Sequence, residues 1–224
     1  MKQLFRDNSI FIGLSLMLVV ALGLALLWLP KGELHLLLCD RHTPARDIFY
    51  RYYTQVGEWF PYVLCVLLLL FSRIGDGVFA SCGLALSALT TQLFKHIINA
   101  PRPYRWFAMN MPDISLPAVE GVRFNEWFSF PSGHTTSFFA LAFVACILVT
   151  RNSRFSRFSC SALQVLLFIA AAMGGYSRIY LSQHFALDVL AGIVVGMGIT
   201  LASYAVLQHY EGQKWYNYRL FQKK

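Results

Sequence analysis

Charged residues are scarce in this chain. Asp, Glu, Lys and Arg make up 13% of its 224 residues, whereas 57% of the residues are apolar. This balance is far more apolar than that of a soluble domain of similar length, and it predicts a polytopic membrane protein. The net charge of +8 does not indicate a nucleic-acid partner, because the basic residues are scattered between apolar runs and form no contiguous stripe.

Cysteine is too sparse to organise the fold. The chain has five cysteines, an odd number, and Cys65, Cys82 and Cys146 fall inside apolar runs. They predict neither a disulfide framework nor a zinc site, and we interpret them as small apolar side chains. The sequence also contains no Asn-x-Ser/Thr sequon, which favours a bacterial protein over one from a eukaryotic secretory route.

What the chain does contain is six apolar runs long enough to cross a bilayer. They cover residues 10–29, 52–71, 78–98, 131–150, 159–176 and 184–207. The first run has full membrane length and no small-residue cleavage site before Pro30, so we interpret it as a retained helix. The predicted fold is all-α: one membrane-embedded domain over residues 1–224, with six transmembrane helices in a bundle and a motif-bearing core at about 78–207.

The segments between these runs differ in character. Residues 31–51 are mixed and charged, which predicts an extramembrane connection with room for a short interfacial helix, and 73–77 predict a tight turn. Residues 104–130 form the longest connection, rich in Trp, Phe and Met, while 209–224 alternate aromatic and basic residues as an interface-lying segment does. Glycines that allow close helix contact occur in the sixth run, at Gly192, Gly196 and Gly198.

Six crossings place both termini on one side of the membrane and three other segments on the opposite side. These segments are the end of the third run, the start of the fourth, and the loop between the fifth and the sixth. Polar side chains from distant positions converge there: Lys95, Arg102, Ser132, His134, Arg178, His184 and Asp188. Unrelated interfacial charges would be expected on both faces, so the convergence predicts a functional site at one membrane face.

The cations in this set describe a site for a multiply charged anion such as phosphate. They are Lys95, Arg102 and Arg178, and no comparable group of carboxylates accompanies them. Ser132 and the backbone amides of Gly133 and His134 lie where the fourth helix begins, and a helix N-terminus favours an anion. Snorkelling cations, a plain N-cap and a headgroup-level histidine would explain these residues singly, but not their convergence on one face.

His184 and Asp188 are four residues apart. If the chain is helical from His184 onward, the two side chains share one face, and the carboxylate holds one ring nitrogen while the other stays free. That is the arrangement of an oriented nucleophile or base. The alternative is that the pair caps the entrance of a helix at the membrane interface.

Three motifs follow one another along this part of the chain. Lys95 is followed after six residues by Arg102-Pro103, then comes Pro131-Ser132-Gly133-His134, and then Ser177-Arg178 with five residues to His184 and three more to Asp188. In order and spacing they resemble the signature of the type 2 phosphatidic acid phosphatase superfamily, over about residues 95–188. One departure is Ala186, where many members have a proline.

The resemblance implies a six-helix membrane enzyme that removes phosphate from a lipid and needs no metal and no cofactor. By that resemblance, His184 attacks phosphorus, Asp188 orients it, and His134 protonates the leaving oxygen. The residues that would hold the phosphate oxygens are Lys95, Arg102, Ser132, Gly133 and Arg178. The Cys-x5-Arg loop and the Asp-x-Asp pair of other phosphatase designs do not occur in the sequence.

The expected partners are the lipid bilayer and a lipid phosphate, with no nucleic acid. Phosphatidic acid, phosphatidylglycerol phosphate, undecaprenyl pyrophosphate and the phosphates of lipid A all remain candidates, and the oligomeric state stays open. Three alternatives remain: a lipid phosphotransferase on the same fold, a vanadate-dependent haloperoxidase, and a non-enzymatic lipid transporter. Six spans argue against the haloperoxidase, and charges at the ends of the spans argue against the transporter.

The sequence also predicts an orientation in a bacterial inner membrane. Lys and Arg are almost evenly divided between the two sides, but Lys95, Arg102 and Arg178 are explained by the site itself. The compact basic loop at 151–157 is therefore the better cytoplasmic marker. We expect cytoplasmic termini and an active site on the periplasmic face.

The 104–130 connection is predicted to lie at the membrane interface. Acyl or prenyl chains cannot pass through water without cost, so a lipid phosphate should enter the site sideways from the leaflet. The aromatic and methionine side chains of this segment suit such a gate, while a purely structural lid is the alternative.

Overall fold

The protein is all-helical in the residues that its structure, a computed structural model, describes: 1–70, 73–152 and 155–219. The α-helices in chain order are α1 (Lys2–Asp7), α2 (Ser9–Trp28), α3 (Lys31–Cys39), α4 (Pro44–Tyr53), α5 (Trp59–Leu70), α6 (Ile74–Ile98), α7 (Pro103–Asn110), α8 (Gly133–Thr150), α9 (Arg157–Tyr180), α10 (Ala186–Leu207) and α11 (Lys214–Asn217). Short 3-10 helices cover Thr54–Gly57 and Gln208–Tyr210.

Five helical segments among the described residues are long and apolar enough to cross a membrane. They are Ser9–Trp28, Ile74–Asn110, Gly133–Thr150, Arg157–Tyr180 and Ala186–Tyr210. The predicted all-α membrane bundle is confirmed, but the sixth full span is not. The predicted span at 52–71 divides into the end of α4, a 3-10 turn and the 12-residue α5, which at about 1.5 Å per residue covers about 18 Å.

Local residue chemistry explains why this predicted span breaks. Gly57 closes the 3-10 turn, and Glu58 after it has extended backbone at φ −81° and ψ 177°. Pro61 lies in the first turn of α5, where its missing N–H costs no helical hydrogen bond. Of the predicted span, Phe71 lies outside the described residues.

Other predicted boundaries shift by a few residues. The tight turn predicted at 73–77 is wrong, because α6 begins at Ile74 and its first-turn Asp76 pairs with Arg73, 2.9 Å from Nε to Oδ2. Helix α9 continues to Tyr180, so Arg178 lies in its last turn. Helix α6 ends as predicted at Ile98, followed by Asn99 in the left-handed conformation, which asparagine tolerates.

Helices α8 and α10 form the centre of the bundle. Helix α8 packs against α6, α9 and α10, while α10 also contacts α2. The approach of α8 to α10 is close because glycines face it: a Cβ on Gly192 would lie 2.8 Å from the Ser132 carbonyl oxygen, and one on Gly196 would overlap the Thr136 carbonyl oxygen. Gly198 has open space around it, so its predicted role in helix contact is wrong.

An ion-pair cluster lies at the end of the bundle that carries the two termini. The two guanidinium nitrogens of Arg151 lie 3.8 Å from Asp76 Oδ1 and 2.7 Å from Glu211 Oε1. Tyr218 accepts a backbone hydrogen bond from Ile74 N at 3.0 Å. The tail therefore docks on α6 as far as it is described, and residues 220–224 of the predicted interfacial segment lie outside the description.

The close α8–α10 contact can be tested with a matched pair of variants. Gly196→Ala should destabilise the protein by about 1–3 kcal/mol, because the new methyl group overlaps a backbone carbonyl that cannot rotate away. Gly198→Ala should be neutral or slightly stabilising, since it gains helix propensity without a clash. Thermal unfolding of both variants in detergent measures the difference, and equal unfolding temperatures would contradict the packing described.

Candidate functional site

The site is built around a loop between α9 and α10. The backbone N–H groups of Gln183 and His184 both donate to the Arg178 carbonyl oxygen, at 2.9 and 3.0 Å. His184 therefore precedes the helix, which begins at Ala186, and the prediction that it is helical is wrong. The loop still brings His184 Nδ1 to 3.5 Å from Asp188 Oδ2. Nδ1 has no hydrogen-bond partner at this distance, and such contacts can tighten when a ligand binds.

Asp188 is held in place by two donors to one of its oxygens. Ser129 Oγ donates to Oδ2 at 2.6 Å, and Phe185 N donates to the same atom at 2.8 Å. Both Asp188 and His184 are almost completely buried. A buried carboxylate with its hydrogen bonds supplied in this way keeps a fixed orientation towards the imidazole.

Arg102 reaches the same loop from the connection after α6. Its Nε donates to the Trp127 carbonyl oxygen at 2.9 Å, and Nη1 donates to Gln183 Oε1 at 3.1 Å. The same Gln183 oxygen accepts from Asn125 Nδ2 at 3.1 Å, and Gln183 Nε2 donates to the Arg123 carbonyl at 3.0 Å. Gln183 thus joins the 181–185 loop, Arg102 and the 104–130 connection.

Arg178 lies in the last turn of α9 with 6% of its surface exposed. Its Nη1 donates to Thr54 Oγ1 at 2.7 Å, and the described residues offer it no carboxylate within ion-pair distance. Thr54 begins the 3-10 turn and is itself buried. A guanidinium held by a neutral hydroxyl keeps its charge available for an anion.

The start of α8 faces these cations. Ser132 is the N-cap, accepting from Thr135 N at 3.4 Å and from Thr135 Oγ1 at 2.9 Å, and its own N–H donates to the Asp188 carbonyl at 2.9 Å. A Cβ on Gly133 would lie 3.8 Å from Lys95 Nζ, so the ammonium reaches the first turn of the helix. The unpaired N–H groups of that turn and the three cations point to one anion site.

The electrostatic field at His184 is positive. Burial lowers its pKa, and nearby charges lower it further. Those charges belong to Arg102, Arg178 and Lys95. The imidazole is therefore neutral at ordinary pH, which leaves a lone pair on the nitrogen that does not face Asp188.

Helix α3 supports the loop from behind. His35 Nε2 lies 3.2 Å from Ser182 Oγ, and burial lowers the pKa of His35 to about 4, so this ring is neutral. Lys31 Nζ lies 3.8 Å from the centre of the Phe185 ring. Ser182 has a φ of 49°, a strained conformation for serine that these contacts help to hold.

A cavity of about 390 Å³ opens beside the cations. His134 and Arg178 line it together with residues of α4, of the 3-10 turn and of the 104–130 connection. His134 is therefore on the cavity side of the site, whereas His184 is buried in the loop behind the cations. A group bonded to an anion in the site would occupy this cavity.

The structure brings together all eight residues that the sequence singled out, which are Lys95, Arg102, Ser132, Gly133, His134, Arg178, His184 and Asp188. Three supporting residues were missed: Thr54, Ser129 and Gln183. Gln183 lies inside the third motif, and Ser129 lies shortly before the second. Their proximity to the motifs could have identified both as candidate site residues. Thr54 comes from a distant segment and carries no sequence signal.

Comparisons with known proteins identify relatives of this chain. The chain is 31% identical over 142 residues to the probable lipid phosphate phosphatase 4 of Arabidopsis thaliana, covering 57% of this chain and 46% of that protein. It is 27% identical over 161 residues to the lipid A 4'-phosphatase of Bacteroides thetaiotaomicron, covering 69% and 67%. The chain thus spans less than half the length of the plant relative.

Two crystal structures resemble the fold. That of LpxE from Aquifex aeolicus aligns with a TM-score of 0.62 and 25% identity, over 77% of this chain and 93% of that one. That of a PAP2-type phosphatidylglycerolphosphate phosphatase from Bacillus subtilis aligns with a TM-score of 0.61 and 19% identity, over 94% and 100%. The PAP2 superfamily profile matches residues 76–211, more than half of the chain. This integral membrane protein belongs to the PAP2 superfamily.

Proposed function

We propose that the protein hydrolyses a phosphate ester or diphosphate of a membrane lipid through a phosphohistidine at His184. The observation that carries the proposal is a neutral, buried histidine beside a fixed carboxylate, surrounded by three cations. Hydrolysis of phosphate monoesters is among the slowest uncatalysed reactions, so positive charge around the equatorial oxygens has to supply much of the acceleration. The lipid-phosphatase relatives favour the same reaction class.

In the first step, the lone pair on His184 Nε2 attacks phosphorus. The bond from phosphorus to the leaving oxygen breaks, its electron pair stays on that oxygen, and His134 donates a proton to it. Asp188 near Nδ1 stabilises the positive charge that develops on the imidazole. Attack and departure are in line, which puts the leaving group on the His134 side.

In the second step, water attacks the phosphohistidine. His134, now neutral, accepts a proton from the water as the P–N bond breaks, so inorganic phosphate is released and both histidines return to their starting states. Lys95, Arg102 and Arg178 hold the phosphate oxygens throughout, together with Ser132 and the amide of Gly133. Because these cations supply the charge stabilisation, we expect no requirement for a metal ion.

A lipid phosphotransferase would share the first step and replace water by an acceptor hydroxyl in the second. Release of inorganic phosphate in the absence of an acceptor lipid separates the two activities.

We propose further that the lipid enters sideways through the 104–130 connection. Tyr104, Met109, Trp127 and Phe128 all expose large side chains there, at 44%, 60%, 39% and 40%. Such side chains favour the boundary between headgroups and acyl chains. Arg102 donates a hydrogen bond to the Trp127 carbonyl oxygen. Movement of this connection would therefore shift the Arg102 guanidinium in the proposed phosphate site.

The central prediction is that His184→Ala abolishes phosphate release, because several powers of ten in kcat depend on an attacking group. Asp188→Asn should fold normally but lower kcat strongly. A panel of lipid phosphates with a phosphate-release assay measures both, and His209→Ala on the opposite face serves as the control. More than about a tenth of wild-type kcat in His184→Ala would remove it from the nucleophile role.

Thr54 should act as a positioning residue for Arg178. Thr54→Val leaves the guanidinium without its hydroxyl partner, so kcat/KM should fall about tenfold or more, the usual loss for a hydrogen bond to a charged group. Thr54→Ser restores the hydroxyl and should retain most of the activity. Competitive inhibition by vanadate provides a second measurement, and a Thr54→Val variant with unchanged vanadate affinity would show that Thr54 does not position the anion site.

We propose that the termini are cytoplasmic and that the site faces the periplasm. Single cysteines at Ala118 and Gly212 lie on opposite faces, and a side chain at Gly212 meets open space. In a background lacking the five native cysteines, an impermeant thiol reagent added to intact cells should label the cysteine at 118 and spare that at 212. The reverse pattern would invert the topology.

A further inference from the structure

We propose that Arg51 and Arg123 form a second anion-binding subsite, which holds a negatively charged phosphate within the leaving group of the substrate. The inference rests on the proposed function and narrows its substrate class. It favours lipids that carry a second phosphorus group beyond the one attacked, namely diphosphates or headgroups with a further phosphate, over lipids with a single phosphate.

The first argument is the direction of departure. In-line attack by His184 sends the leaving group to the opposite side, where His134 protonates it. His134 lines the cavity of about 390 Å³, so the atoms next to the leaving oxygen lie in that cavity. This volume falls within the range of small-molecule sites. The cavity therefore has room for a headgroup beyond the attacked phosphate.

The second argument is the charge of the cavity wall. The lining holds three arginines, Arg51, Arg123 and Arg178, and Glu58 is the carboxylate among its described residues. Glu58 forms no ion pair with an arginine among the described residues, so three positive charges face one negative charge in this lining. Arg51 and Arg123 form no hydrogen bond or ion pair through their side chains with any part of the chain that the structure describes.

The third argument is that Arg51 is held at the cavity. Gly121 has a φ of 76°, and a Cβ on it would overlap the Arg51 guanidinium, so the backbone of the connection lies directly on this side chain. On the other side, Arg51 Cζ lies 5.5 Å from the centre of the Tyr52 ring. A guanidinium packed in this way loses little freedom when it binds an anion.

The backbone of Arg123 is fixed as well. Its carbonyl oxygen accepts from Gln183 Nε2 at 3.0 Å, and Gln183 also bonds Arg102. The Arg123 side chain is exposed at the cavity, so its guanidinium can change position to contact a headgroup. Its main chain stays hydrogen-bonded to Gln183. The two arginines thus flank the path of the leaving group from α4 and from the 104–130 connection.

The test compares pairs of substrates in which one member alone carries a second phosphorus group. A short prenyl diphosphate and the matching prenyl monophosphate form one pair, and phosphatidylglycerol phosphate and phosphatidic acid with equal acyl chains form another. The measured quantity is the ratio of kcat/KM within each pair for the full-length protein in detergent. The first pair reports a directly linked phosphate, and the second reports one separated by glycerol.

Arg51→Gln combined with Arg123→Gln should lower this ratio at least about tenfold in one pair or both, the loss typical of one charge-assisted hydrogen bond. Substituting both arginines by lysine should retain part of the preference. Arg46→Gln, on the same helix but outside the cavity lining, should leave the ratio and both rates unchanged.

The outcomes separate the two proposals. Equal losses on both members of each pair, or an unchanged ratio, would overturn the subsite while leaving the phosphatase function intact. Wild-type protein that releases phosphate from none of the four substrates, nor from a lipid A phosphate added to the panel, would overturn the proposed function itself. A tenfold change confined to one pair would support the subsite and identify the spacing between the two phosphates.

Discussion

The site depends on burying the positive charge of Arg102 and Arg178 without an ion pair to any carboxylate of the described residues. Arg102 and Arg178 are exposed to 9% and 6%, yet the acceptors that hold them are neutral oxygens of Trp127, Gln183 and Thr54. A carboxylate in those places would compete with a phosphate for the same N–H groups. Neutral acceptors satisfy the hydrogen bonds and leave the charge for the substrate.

The hydrogen bonds of Asp188 are consistent with this constraint on the cations. Asp188 lies close to the cations, but Ser129 and the Phe185 amide occupy its Oδ2 atom and direct it towards His184. Its carboxylate faces the imidazole and forms no ion pair with a guanidinium group among the described residues, although its charge still attracts Arg102. Mutual repulsion among the cations is then relieved when a dianionic phosphate binds, which is a source of binding energy available to the anion alone.

The close packing of α8 on α10 fixes the position of Ser132 relative to Asp188. Ser132 N donates to the Asp188 carbonyl, and the absence of a side chain at Gly192 allows that approach. The N-terminus of α8 and the first turn of α10 are therefore held together. Arg102 and Thr54 join the same region through side-chain hydrogen bonds, Arg102 to Gln183 and Thr54 to Arg178.

Much of the fold and the site could be predicted from the sequence because their signals are local. Long apolar runs predicted the helices of the bundle. Three motifs at fixed spacing predicted eight residues that the structure brings together. Counting apolar residues missed the break after Gly57, and no local signal predicts that Thr54 in this turn bonds an arginine 124 positions later. The helical periodicity assumed for His184 failed because backbone bonds to Arg178 close a loop first.

That closed loop has a consequence for how the protein tolerates changes in length. Between Arg178 and His184, consecutive backbone amides bond back to the last turn of α9, so one inserted or deleted residue would change the distance from cation to nucleophile. The stretch at 112–118 contains no buried residue, and its Ile114 amide makes a local backbone bond to Met111. Insertions, tags and recombination junctions therefore belong there, because the catalytic spacing does not pass through it.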